Sequence, residues 1–153
     1  MLTLHKPEIS ELWFRKTMLD DGATMSYNRA WGGAVGFPEE DWADWYDYWI
    51  ARPEGRRFYR YLSDAGRFVG EIAYHFDKEL SGFIADVIVY APERGKGYGK
   101  AGLRLLCEAA KKNGITELYD DIAADNPAIK LFLNEGFAEA FRVDGKIVLK
   151  KTL

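Results

Sequence analysis

Residues 94–99 read Arg-Gly-Lys-Gly-Tyr-Gly and join two segments with different patterns. Residues 83–91 before them form an apolar run typical of a strand, and residues 98–113 after them have the spacing of a helix with one apolar face. A glycine turn between a strand and a helix collects unpaired backbone N–H groups at the positive end of the helix dipole. An arginine and two lysines in and beside the turn add positive charge. The stretch therefore predicts a turn that binds a phosphate group.

The composition limits the classes of protein to consider. The chain has 153 residues, which predicts one domain over 1–153 with a core that needs no disulfide or metal. Its 21 basic and 24 acidic residues give a formal net charge of −3, so it lacks the positive field that non-specific nucleic-acid binding requires. Cys107 is the single cysteine, and we find no signal peptide or long apolar segment. We therefore expect a cytoplasmic protein with no nucleic-acid or membrane partner, in which Cys107 is a buried thiol.

Turn signals and apolar periodicity divide the rest of the chain into helices and strands. In order, the pattern predicts a strand at 2–4, helices at 7–20 and 39–51, strands at 56–61, 68–76 and 83–91, a helix at 98–112, a strand at 115–122, a short helix from Asn126, and a hairpin of 136–143 with 146–150. Short turns after residues 63 and 76 favour antiparallel pairing of three neighbouring strands. A loop at 22–38, which contains glycines and aromatic residues, is predicted to be ordered.

Two segments carry a resemblance to a known family. Val87-Ile88-Val89 leads into Arg94-x-x-Gly97-x-Gly99, and further on the chain reads Asp125-Asn126-Pro127-Ala128-Ile129-Lys130-Leu131-Phe132 and then Gly136-Phe137. With the element order, these segments resemble the GNAT superfamily of N-acetyltransferases, most specifically over 83–137 and in layout only over the first 60 residues. The resemblance implies an α/β (α+β) fold, with a mixed, mainly antiparallel sheet of six to seven strands flanked by about four helices.

The resemblance also implies a reaction and its substrates. The reaction is transfer of an acetyl group from acetyl-CoA, without a metal, to a primary amine of a small molecule, an amino-acid derivative or a protein. The pyrophosphate of coenzyme A would lie on the N–H groups of residues 95–100, and its pantetheine arm would pair with residues 87–89 like an added strand. The implied binding residues are Val87, Ile88, Val89, Arg94, Gly95, Lys96, Gly97, Tyr98, Gly99, Lys100 and Asn126. The C-terminal hairpin would suit a homodimer.

The chain departs from the family at the group that protonates the leaving thiolate. In the family a tyrosine on the helix after a characteristic asparagine often has this role, but Phe132 occupies that slot here and has no proton to donate. Either Tyr27, Tyr98 or Tyr119 replaces it, or coenzyme A leaves as the thiolate and takes a proton from water. Asp125 occupies the asparagine slot, and the adjacent Asn126 is interpreted as a helix N-cap that also touches the cofactor.

Two carboxylates are candidates for the general base that deprotonates the amine. Glu71, Ala73 and His75 share a strand face by alternation, and the small Ala73 leaves space between the two titratable side chains. Asp86 is the one carboxylate in an apolar run, where we expect it to be buried. Glu71 or Asp86 is therefore predicted to act as the base. The alternative for each is a structural role, paired with an arginine or a backbone group.

Other functions compete for the same residues. Gly97-x-Gly99-x-x-Gly102, with Asp120 and Asp121 about 20 residues later, also satisfies the dinucleotide-binding fingerprint. A polar bridge between strand and glycines, and antiparallel strands before them, argue against it. A phosphate-loop nucleotidase is excluded because no Ser or Thr follows either Gly-Lys pair. A non-catalytic protein that binds acyl-CoA as a sensor remains an alternative, because the proton donor is missing.

An acidic cluster at 39–47 is a feature with two interpretations. It suits a cationic acceptor, or it is simply the solvated start of a helix.

Overall fold

Seven strands pair into one sheet in the computed structural model, which describes residues 1–26 and 33–153. The strands are β1 (Leu2–His5), β2 (Arg57–Asp64), β3 (Arg67–Asp77), β4 (Gly82–Val89), β5 (Glu117–Ala123), β6 (Ala138–Val143) and β7 (Lys146–Thr152), and they lie in the order β1-β2-β3-β4-β5-β7-β6. The three pairings among β1 to β4 are antiparallel, and so is the pairing of β6 with β7 in the hairpin. The predicted mixed, mainly antiparallel sheet is therefore confirmed.

The described residues also form four α-helices, which are α1 (Trp13–Asp20), α2 (Trp42–Tyr46), α3 (Tyr98–Lys112) and α4 (Ile129–Asn134). Short 3-10 turns lie at Ile9–Glu11, Glu39–Asp41 and Ala91–Glu93, and a π-helical turn at Asp47–Ala51 continues α2. The helix predicted over 39–51 is thus three successive helical segments. No helix within 1–26 and 33–153 combines the length and apolar character needed to cross a membrane.

The two faces of the sheet carry separate apolar clusters, because successive residues of a strand point to opposite faces. On one face, α3 packs Leu103 and Leu106 against Leu62 and Ile72, and the predicted buried Cys107 belongs to this cluster. On the other face, α1 and the segment after α2 pack against the aromatic side chains of β2, with Phe14, Met18, Ile50, Tyr59 and Tyr61 at the centre. The sheet therefore separates an α3 side from an α1 side.

β4 and β5 are the neighbours on which the site depends. Their pairing is parallel and covers Phe83 with Leu118 and Ile84 with Tyr119. Beyond these positions, residues 85–89 of β4 and 120–123 of β5 line the same cavity. The two strands therefore part near the middle of the sheet and open a cleft that reaches both of its sides.

Candidate active site

The glycine turn presents backbone N–H groups at the start of α3. Gly95 and Gly97 have φ values of 82° and 84°, in the left-handed region that favours glycine. A Cβ at either position would meet no atom within 4 Å, so the glycines serve the backbone conformation rather than packing. The first N–H groups of a helix have no partner inside it, and they carry the positive end of its dipole. The turn therefore fits the pyrophosphate of a nucleotide-bearing substrate.

A cavity of about 370 Å³ connects this turn with the cleft between β4 and β5. It brings together the predicted binding residues Val87, Ile88, Val89, Arg94, Gly95, Gly97, Tyr98, Gly99 and Asn126, while Lys96 and Lys100 do not line it. Further lining residues, which the sequence did not single out as binding residues, are Thr24, Met25, Ala85, Asp120, Asp121, Ile122, Ala123, Ala128 and Leu131. The structure thus places the glycine turn and the strand edge on one continuous surface.

The basic side chains of the turn are tied to protein groups. Arg94 donates to the carbonyl oxygens of Ala23 and Thr24, at 3.0 and 2.6 Å. The ammonium of Lys96 lies 3.0 Å from the carboxylate of Glu93. Arg94 therefore fixes the segment after α1 against the cavity.

Asn126 and Phe132 lie on the α4 side of the cavity. Oδ1 of Asn126 accepts the N–H of Ala128 at 2.9 Å, and Ala128 rather than Asn126 is the N-cap of α4. The N-cap prediction was therefore wrong by two residues, because the side chain closes a local turn ahead of the helix. Phe132 is buried and packs edge to face on Phe137 at 5.0 Å between ring centroids. The family's tyrosine slot is thus filled by an apolar ring inside the cavity.

The tyrosines weighed as replacements for that slot lie in three different settings. Tyr98 lines the cavity, but its hydroxyl donates to Asp64 at 2.5 Å. Tyr119 packs its ring against Gly82, where an added Cβ would come within 2.6 Å of it. Tyr27 lies outside the described residues. Among the tyrosines that the structure describes, none offers an unengaged hydroxyl to the cavity.

Glu71 is buried and ion-paired, with 5% of its surface exposed. Nη1 of Arg15 lies 2.9 and 2.8 Å from its two carboxylate oxygens, and the hydroxyl of Tyr59 also donates to it. Burial raises the pKa of the Glu71 carboxyl, although Arg15 opposes that shift. The environment matches the alternative considered for Glu71, a structural carboxylate paired with an arginine.

Asp86 is exposed, so the expectation of a buried carboxylate was wrong. Its side chain keeps 55% of its accessible surface and lines the cavity, because β4 has already parted from β5 at this position. The small Ala73 is its paired neighbour on β3, and Nδ1 of His75 is 3.7 Å from the carboxylate of Asp86. Asp86 raises the pKa of His75 above its ordinary value. The α1 side of the cleft therefore carries a carboxylate beside an imidazole.

Two consecutive aspartates of β5 complete the cleft. Asp120 shares the core-facing side of β5 with Leu118 and Ile122 and is 8% exposed, whereas Asp121 lies on the opposite side. Burial, together with the charges of Asp86 and Asp121, raises the pKa of Asp120 well above that of an ordinary aspartate. The alternation of Leu118, Asp120 and Ile122 was a signal in the sequence, because it places a carboxyl on an apolar strand face.

A second depression, of about 490 Å³, adjoins Asp86 on the α1 side. Its lining is aromatic and basic and consists of Tyr48, Trp49, Arg56, Arg57, His75, Phe76 and Lys78. His75 belongs to this lining and its Nδ1 lies 3.7 Å from the carboxylate of Asp86 in the cleft, so the depression and the cleft are neighbours. The acidic cluster predicted at 39–47 lines neither cavity.

Comparison with known proteins identifies the family. The model of the acetyltransferase (GNAT) family matches residues 20–137, which is most of the chain. The chain belongs to the acetyltransferase (GNAT) family. Its glycine turn, parted strands and α4 all lie within the matched residues of this GNAT domain.

Relatives of this GNAT domain include proteins of known and unknown substrate. An uncharacterised N-acetyltransferase of Bacillus subtilis (strain 168), YycN, is 40% identical over 75 residues, which cover 46% of this chain and 48% of that protein. The match thus spans about half the length of that relative. A ribosomal-protein-alanine N-acetyltransferase from Brucella melitensis has a TM-score of 0.77 at 21% identity, with 99% of each chain covered. A spermidine N-acetyltransferase from Vibrio cholerae, in complex with CoA and spermine, has a TM-score of 0.75 at 19% identity, covering 99% of this chain and 94% of that one. At these identities the two structures show a shared fold.

Proposed function

We propose that this chain transfers an acetyl group from acetyl-CoA to a primary amine. The observation that carries the proposal is the single cavity that joins the glycine turn of α3 to Asp86 along the edge of β4. Such a cavity can hold the phosphates at one end and a thioester at the other, beside a carboxylate that can accept a proton. The GNAT family and neighbours bound to CoA support the same reaction.

The acyl donor would be held mainly by the backbone. The pyrophosphate would accept hydrogen bonds from N–H groups of residues 95–100, and the pantetheine arm would pair with residues 87–89, where β4 is parted from β5. A backbone N–H of this strand would stabilise the oxyanion that forms when the amine attacks. Acetyl-CoA would be a substrate of this site rather than a resident cofactor.

We infer that Asp86 rather than Glu71 is the general base. Asp86 lines the cavity and is exposed, whereas Glu71 lies outside the lining and is engaged by Arg15 and Tyr59. An alkylammonium must lose a proton before its nitrogen can attack the thioester. Asp86 would take that proton directly or through a water molecule and pass it to solvent.

The neighbouring basic depression points to the class of acceptor. An amine held at Asp86 would extend past His75 toward Arg56 and Lys78. Among the described residues, the lining contains basic and aromatic side chains and no carboxylate, so it favours an anionic group on the acceptor. We infer that the preferred acceptor is an amine that also carries a carboxylate or a comparable anion, such as an amino acid or a derivative of one.

The test is thiol release from acetyl-CoA across a panel of small amines, amino acids and peptides. We expect release only when an acceptor is present, and a fall in kcat of about a hundredfold in Asp86→Asn. Binding of CoA should be unchanged in that variant, and the acidic limb of the pH profile should move. Asp20→Asn is the matched control, because Asp20 is exposed on α1 and pairs with Lys16 on the surface. Tight binding of CoA without thiol release for any amine would instead identify an acyl-CoA sensor.

A further inference from the structure

Asp120 is a buried carboxyl group that the proposed base does not use. It lines the cavity from β5 and lies on the α3 side of the sheet, whereas Asp86 lies on the α1 side. Its surroundings on its own strand are Leu118 and Ile122, and Leu149 is its partner on β7. Within the described residues no side chain donates a hydrogen bond to it or pairs with it. A carboxyl group in such a place needs a physical reason.

The charges near Asp120 favour its neutral form. The ionisable groups whose charge reaches it from β4 and from its own strand are Asp86 and Asp121, and both are acidic. Oδ1 of Asp121 is itself buried, without a hydrogen-bond partner in the described part of the chain. A hydrogen bond from the backbone N–H of Asp121 opposes the shift, but desolvation and the like charges outweigh it and disfavour ionisation of Asp120. A neutral carboxylic acid is a proton donor.

The cavity has few other groups with a proton to give. The hydroxyl of Tyr98 donates to Asp64, and that of Thr24 donates to Asp21. Phe132 has no hydroxyl, and Asn126 uses its oxygen in a turn. Asp86 is exposed beside His75 and is assigned to the acceptor amine. Among the described lining residues, Asp120 is therefore the group that combines burial, a raised pKa and access to the cleft.

We propose that Asp120 is the general acid of this enzyme and protonates the coenzyme A thiolate as it leaves. The inference rests on the proposed acetyl transfer and adds the proton donor that Phe132 cannot supply. It places base and acid on opposite sides of the sheet, joined through the gap between β4 and β5. The parted strands thus hold the acyl donor and also separate the two proton transfers.

The step balances in atoms and charge. When the tetrahedral adduct collapses, its carbon–sulfur bond breaks and the sulfur keeps the electron pair. The sulfur takes the proton of the Asp120 carboxyl, while the nitrogen of the new amide gives its proton to Asp86. Asp86 releases that proton to solvent, and Asp120 takes one back through the open cleft. The net change is amine plus thioester to amide plus thiol.

The leaving group provides the decisive test. Asp120→Asn keeps the shape of the side chain but has no acidic proton. With the acetyl thioester of N-acetylcysteamine, whose alkyl thiol is a poor leaving group like that of CoA, we expect kcat/KM to fall about a hundredfold. With 4-nitrophenyl thioacetate, whose thiolate leaves without protonation, the variant should match the wild type within about threefold. The affinity for CoA should not change.

Controls separate this inference from its rivals. Glu117→Gln removes a carboxylate of β5 that pairs with Lys150 at 2.8 Å outside the cavity, and it should leave both donors unaffected. An equal loss with both donors in Asp120→Asn would overturn the inference and make Asp120 structural. A selective loss in Tyr27→Phe, with none in Asp120→Asn, would also overturn it. If the wild type acetylates no amine, the proposed function fails first and the inference falls with it.

A measurement on the wild-type protein keeps the inference testable if the variant folds poorly. In protein labelled with ¹³C at aspartate carboxyl carbons, one resonance should remain in its protonated position at pH 7. We expect this resonance to belong to Asp120 and to shift when CoA is added. If every aspartate resonance has titrated by pH 7, Asp120 is not held neutral and the inference is wrong.

Discussion

At the scale of single residues, the ion pair of Glu71 with Arg15 is a buried polar contact between two elements. It joins β3 to α1 beneath aromatic rings, and the Arg15 guanidinium lies 4.6 Å from the ring centroid of Trp45. Both side chains are largely buried, at 17% and 7% exposure for Arg15 and Glu71. Removing one charge from such a pair leaves the other without compensation, and this costs more than the pair itself contributes.

We therefore expect Glu71→Gln to act on stability rather than on chemistry. The free energy of unfolding should fall by about 3 kcal/mol, because a buried guanidinium loses its counter-charge. Urea unfolding measures this, and adding Arg15→Met to Glu71→Gln should recover part of the loss. The exposed pair of Lys16 with Asp20, 2.7 Å apart, is the control, and Asp20→Asn should cost less than about 0.5 kcal/mol. Normal stability with a hundredfold loss of turnover would return Glu71 to the role of base.

The same residues show which features of the site can be predicted from the sequence. Strand parity is local, so it predicted that Glu71 and Ala73 share a face, as the structure has it. The partner of Glu71 lies 56 positions earlier in the chain, and no periodicity encodes such a distance. The exposure of Asp86 escaped prediction for a related reason, because it depends on β4 parting from a strand that is not its neighbour in sequence.

At the scale of elements, α3 has a glycine with positive φ at each end, and only the N-terminal one belongs to the proposed phosphate site. Gly97 precedes the helix at a φ of 84°, and Gly114 follows it at 83°. Neither glycine has a protein atom within 4 Å of an added Cβ. The two positions therefore impose the same backbone strain on an alanine, but the proposed phosphate site lies only at the N-terminal end.

Gly97→Ala and Gly114→Ala form a matched pair for testing that site. Each should lower stability by about 1 kcal/mol, since alanine at positive φ is strained. Gly97→Ala should also weaken CoA binding about tenfold, because relief of the strain turns the N–H groups of residues 98–100 away from the pyrophosphate. Isothermal titration with CoA and thermal unfolding measure the two effects. Equal losses of CoA affinity at both ends of α3 would contradict a phosphate site at the turn.

Elements with a strong local signal were the predictable ones. The bounds predicted for the helix at 98–112 coincide with those of α3, and the turn at Asp144-Gly145 forms the hairpin of β6 and β7 with both φ values positive. The helix predicted over 39–51 instead changes type along its length. Its aromatic side chains Trp42, Trp45, Tyr46 and Trp49 pack on the α1 side, so the segment keeps one apolar face although its hydrogen-bond pattern changes.

At the scale of the whole molecule, the sheet separates two chemical environments that meet in one gap. The glycine turn and Asp120 lie toward the α3 side, whereas Asp86, His75 and the basic depression lie toward the α1 side. A donor and an acceptor that enter from opposite sides would meet where β4 and β5 part. If the proposed function is right, this arrangement would let the acceptor side vary in charge without altering the donor site, so that acceptor preference could change on its own.

Charge reversal in the basic depression tests that separation. Arg56→Glu replaces a guanidinium that lies 4.8 Å from the ring centroid of Phe76, at the rim away from the glycine turn. We expect kcat/KM for amino acids to fall about tenfold at low ionic strength, and that for spermidine to rise, because a carboxylate there repels anions and attracts cations. High salt should reduce both changes, whereas the KM for acetyl-CoA should stay constant. Lys112→Glu, at the far end of α3, is the control for net charge. If the two variants change the acceptor profile equally, the depression does not select the acceptor.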